Sequence, residues 1–76
     1  MKPFEITYAQ HEDWLRNLSK GSYGQLIRFA EATIGKEALS NCDTTEDAIC
    51  SILSMDNDTI EKAHVEIFLY PVKIVE

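Results

Sequence analysis

Apolar and polar residues alternate through Phe4-Glu5-Ile6-Thr7-Tyr8, the period of a strand with one buried face, and Pro3 in front is compatible with a strand start. The period then changes. His11, Trp14, Leu15 and Leu18 fall on one helical stripe, with Glu12 and Arg16 spaced to pair on the opposite side. Thr7 and Gln10 have the form of a capping box, and Lys20-Gly21 supplies a cation and a permissive residue at the far end, so a helix is expected over 8–19. Leu26, Phe29, Ala30, Thr33 and Ile34 define a second helix over 23–39. Ser22 with Gln25 reads as its capping box, and Gly35 ends or loosens it, leaving residues 36–40 as one more turn. A third helix over 45–55 starts at a Thr44 or Asp43 cap and turns Ile49, Ile52 and Leu53 inward.

Beyond the loop Asp56-Asn57-Asp58 two periods compete. Asp58 with Glu61 resembles a helix start, and Ile60, Ala63, His64, Ile67 and Phe68 keep helical spacing until Pro71. The stretch from Val65 to Val75 is also dense in β-branched and aromatic residues, with Val65, Ile67 and Leu69 alternating against Glu66, Phe68 and Tyr70. The reading adopted is a short helical turn over 59–63 followed by a strand within 65–75. That strand is bent or edge-placed at Pro71 and pairs with the N-terminal one. The expected fold is a single α+β domain over residues 1–76, its N- and C-terminal strands paired against about three helices.

With 76 residues there is room for one core. Hydrophobic residues make up 45%, with three Gly and two Pro, so the chain is expected to fold. No apolar run reaches a membrane span, and Glu5 stands where a secretory signal would be apolar, so no membrane partner and a cytoplasmic location are expected. Cys42 and Cys50 are then reduced, partly buried thiols.

Charge changes the picture more than composition does. The net charge is −6, and residues 1–38 balance to zero, so the whole deficit lies in residues 39–76. Such asymmetry predicts a negative surface that attracts a basic partner.

Candidate motifs narrow the functional classes. Gly21-Ser22-Tyr23-Gly24 has the G-x-x-G form with which KH modules clamp nucleic-acid backbone. It holds no cation, the net charge opposes a polyanion, and the chain continues as helix after Gly35. Residues 56–61 lack the central Gly and the spacing of an EF-hand, and the Asp-Ser-Leu attachment motif of acyl carrier proteins is absent. Cys42, Cys50, His11 and His64 show no paired zinc spacing, so no metal or cofactor is expected, and both histidines fall on apolar stripes as core or boundary residues. Trp14 is assigned to the core. A catalytic Cys-His pair has little volume in which to build a pocket, and no enzyme activity is expected.

The expected function is occupancy. A small acidic module would inhibit or modulate a larger, basic-surfaced protein, as small inhibitors, antitoxins and phage-encoded anti-defence proteins do by analogy of size and charge. The partner-binding residues are assigned as Asp43, Glu46, Asp47, Asp56, Asp58 and Glu61, with Tyr23 and Tyr70 as interface aromatics. The alternatives are a KH-like single-stranded nucleic-acid binder through Gly21 to Gly24, and a homo-oligomer built on the C-terminal strand edge. The protein itself would be a monomer or a homodimer.

Overall fold

A computed structural model describes residues 2–75. Strand β1 (Phe4–Thr7) runs directly into helix α1 (Tyr8–Gly21), and Thr7 joins the two. Its hydroxyl accepts from the Gln10 amide (3.1 Å), while Gln10 Oε1 accepts the Thr7 amide (2.8 Å), completing the expected capping box. Replacing Thr7 by Ala removes one half of this exchange. The expected cost is about 1 kcal/mol, or a fall of roughly 4–8 °C in Tm, measurable by thermal circular dichroism.

Ser22 separates α1 from α2 (Tyr23–Thr33). The expected Ser22–Gln25 capping box is not formed. Ser22 instead lends its backbone, donating its amide to Leu18 O and accepting from the amides of Gln25 and Leu26. Gly35 divides the segment expected as one helix. Its φ of 90° lies in the left-handed region that favours glycine, and a separate five-residue turn, α3 (Lys36–Ser40), follows. Helix α4 (Thr45–Leu53) starts at Thr44, whose side chain caps the Asp47 amide at 3.1 Å.

The C-terminal segment departs from the adopted reading. Residues 57–68 form a full helix, α5 (Asn57–Phe68), and strand β2 (Val72–Val75) begins only after Pro71. The cap is Asp56 rather than Asp58, accepting from both the amide and the hydroxyl of Thr59. These bonds, the side-chain one first, hold the Asp56 carboxyl below its ordinary range. Helix wins because Ile60, Ala63 and His64 bury together on a 3.6-residue stripe, whereas Val65, which a strand would bury, is exposed. The fold therefore holds five helices among the described residues rather than about three.

The terminal strands pair as expected, and in parallel, with Phe4 opposite Val72 and Thr7 opposite Val75. Parallel pairing requires a crossover, and the whole helical body supplies it. Leu15, Leu26, Phe29, Ala30, Ile49, Ile52, Ile60, Ala63 and Ile74 form one core, with α2 packed on α5. Among the described residues no helix is long and apolar enough to cross a membrane.

Candidate binding groove

Strand alternation places Phe4 and Ile6 on the same face of the sheet as their register partners Val72 and Ile74. Ile74 is buried against the helices, but Phe4, at the start of the sheet, is 58% exposed. A gap therefore opens between this end of the sheet and the helices. It is an open groove of about 560 Å³, bordered by Phe4, Ile6, Tyr70 and Val72 on one side and by Trp14, Leu18, His64 and Phe68 on the other. Gln10, Gln25 and Glu5 complete its border. Few polar groups on mostly apolar walls is the composition of a recognition site.

The groove is stiffened from below by aromatic contacts. Phe29, fully buried, lies 5.5 Å from Trp14, 4.8 Å from His64 and 6.0 Å from Phe68, centroid to centroid. Phe4 and Tyr70 meet edge to face at 6.5 Å on the rim.

His11 and His64 are 1% and 4% exposed, and their Nε2 atoms lie 3.0 Å apart. One ring must donate and the other accept. His11 Nδ1 is sealed with no partner among the described residues. A buried acceptor without a partner is tolerated more readily than a buried donor, which assigns the proton of His11 to Nε2. His64 Nε2 then accepts, and the proton of His64 sits on Nδ1. Burial pushes both rings down to about 4, and the neighbouring His11 adds to the effect at His64.

Helix α5 ends at the groove's rim in an unusual way. Leu69 takes the left-handed conformation (φ 57°, ψ 28°) that closes a helix, donating its amide to Val65 O at 2.9 Å. Gly or Asn normally occupies this position, because a side chain there costs roughly 1–2 kcal/mol. Leu69 is nevertheless the most exposed large apolar residue of those described, at 80%, between groove residues Phe68 and Tyr70.

Of the residues assigned from sequence, only Tyr70 borders this groove. Tyr23 and Asp43 meet at a smaller depression with Cys42 and Thr44. Asp43, Glu46 and Asp47 gather at the start of α4, and Asp56 and Asp58 at the start of α5. The nine residues of α4 separate the two groups by about 13 Å along its axis, so the acids form two clusters. Three of the six assigned acids are occupied internally, Asp56 by its bonds to Thr59. Glu46 pairs with Arg16, which also holds Glu12 at 3.0 Å and so ties α1 to α4. The Arg16 hydrogen bond holds the Glu46 carboxyl below its ordinary value. Glu61 Oε2 accepts the Ile74 amide at 2.9 Å.

Sequence reasoning missed Phe4, Trp14, Leu18, His64 and Phe68 as site residues, because periodicity assigns an apolar residue to the buried side without revealing which part of that side stays open. Trp14, assigned to the core, is half-buried in the groove wall. The one advance signal was Leu69-Tyr70-Pro71, apolar bulk next to a residue that stops a helix. Gly21 and Gly24 have open space around them and no positive φ, so neither position requires glycine. Cys42 and Cys50 are free thiols, half-buried and exposed respectively. Among the described residues no three His, Cys, Asp or Glu side chains group to hold a metal ion.

The comparisons find nothing similar to this chain: no family model, no curated protein and no solved structure matches it.

Proposed function

We propose that the protein is a small protein-binding module that inhibits or modulates a larger partner, with the aromatic groove and its Phe4, Leu69 and Tyr70 rim as the contact surface. The observation that carries this reading is Leu69. A strained backbone holding an apolar side chain out in water is a double cost, recovered when a partner buries that side chain. Aromatic and apolar anchors beside a concave wall are the usual centre of an interface, where a few residues supply most of the affinity. The acids contribute differently. Asp43, Asp47 and Asp58 are exposed and make no ion pair among the described residues. Together with the −6 net charge they steer a basic partner and raise its association rate.

Replacing Leu69 by Asn separates function from fold. Asn adopts the left-handed conformation readily, so L69N is expected to be more stable than the wild type by about 1 kcal/mol. The same variant is expected to lose a partner protein that the wild type retains from native lysate. Affinity for that purified partner should fall by about tenfold or more, as for an interface hot spot. Added salt should slow association for both proteins. A partner held equally by L69N and the wild type would remove the groove from the contact surface.

A further inference from the structure

The groove runs alongside a strand edge that is open at one residue. Phe4 donates its amide to Pro71 O at 2.9 Å, and a parallel ladder bonds through alternate residues, so Phe4 and Ile6 face β2 while the N–H and C=O of Glu5 face away. The neighbouring outward amides are taken. Thr7 gives its amide to Gln10 Oε1, and on the far edge of the sheet Ile74 gives its amide to Glu61 Oε2. The Glu5 amide has no partner among the described residues. Alternation sends the Glu5 side chain to the face opposite Phe4 and Ile6, so its place on the groove border puts the β1 main chain beside the groove. Its carboxylate stands on that opposite face and makes no ion pair among the described residues, and no other described residue bordering the groove is Asp, Glu, Lys or Arg.

We propose that this edge and groove together bind an extended, basic peptide segment of the partner protein by strand addition to β1. The proposal rests on the groove being a protein-binding surface. The incoming segment bonds to the N–H and C=O of Glu5, sets a Lys or Arg beside the Glu5 carboxylate on the outer face, and turns the residues flanking that cation into the groove. The recognised pattern is therefore apolar, basic, apolar, with an aromatic or large aliphatic side chain seated among Phe4, Trp14 and Phe68. The added segment would extend the two-stranded sheet to three strands.

The test selects dodecapeptides from a random displayed library on the immobilised protein, then measures one selected peptide against wild type, E5Q, E5P and L69N. E5Q removes the charge alone. E5P also removes the outward amide, and proline is tolerated at such an edge position because the β1–β2 ladder does not use that donor. Expected are the apolar-basic-apolar pattern, a several-fold loss with E5Q, a further tenfold loss with E5P, and slowed hydrogen exchange of the wild-type Glu5 amide in the complex. Equal binding by E5P and E5Q, or a Glu5 amide that exchanges as fast bound as free, overturns strand addition, and continued sensitivity to L69N would then keep the groove as the site. Selected peptides indifferent to L69N overturn the groove reading itself. A library that yields no enriched sequence overturns the peptide proposal, as does a wild-type protein that elutes at twice its mass with the Glu5 amide already protected, since the edge is then filled by a second copy.

Discussion

Titrated from pH 7.5 to pH 4, the protein is expected to lose most of its stability. The cause is the buried pair His11 and His64, each pushed from 6.5 down to about 4 by burial. Below pH 6.5 the unfolded chain takes up a proton on each imidazole, while the folded chain resists until about pH 4. Protons therefore favour unfolding throughout that window, so stability falls as pH falls and is flat above about pH 7. A drop of this size corresponds to about 3 kcal/mol per ring. The whole stability of a 76-residue domain is about 4–11 kcal/mol, so both rings together approach it. The first proton also breaks the Nε2 pair, because a doubly protonated ring cannot accept, and it sets a charge against the second ring. Urea midpoints at half-unit pH steps measure the slope. A variant with both histidines replaced by Leu should flatten the profile between pH 6.5 and 4, because removing both partners leaves no unpaired group. A wild-type profile already flat there would mean that the rings are protonated inside the fold.

Phe29→Ala is expected to unfold the protein at 37 °C. Phe29 is fully buried and touches both histidines, Trp14 and Phe68, so its removal leaves a cavity beneath both the core and the groove. Truncation of such a residue costs about 3–5 kcal/mol, a large share of the total available. Phe29→Leu keeps most of the volume and should remain folded with a lower Tm. Near- and far-ultraviolet circular dichroism separates the two variants. A cooperative F29A transition within a few degrees of wild type would place the stability elsewhere than this cluster.

Most helices were legible because their ends carry local chemistry. Thr7 with Gln10, Thr44 before Glu46 and Asp47, and Gly35 each declare a boundary within three residues, and the structure uses all three. Residues 65–68 were misread because Val65, Ile67 and Phe68 suit a strand by composition and a helix by spacing, and only the burial of Ala63 and His64 against distant residues decides between them. The groove was illegible for a related reason. Its walls come from β1, α1, α5, the turn after it and the start of β2, and no local rule relates Phe4 to Tyr70 across 65 intervening residues. The strained Leu69 was likewise invisible, since a left-handed backbone is announced by Gly or Asn and this sequence has neither there.

The parallel order of β1 and β2 has a mechanical consequence. Because the two strands point the same way, the leading end of β1 and the trailing end of β2 lie at opposite ends of the sheet. Tension applied between the chain's two ends runs along the strands and loads the ladder bonds in shear, all together, rather than peeling them one at a time. Two four-residue strands thus act as a clamp across the helical body, and an unfolding motor pulling on one end while the other is held must break that clamp before it can extract any helix.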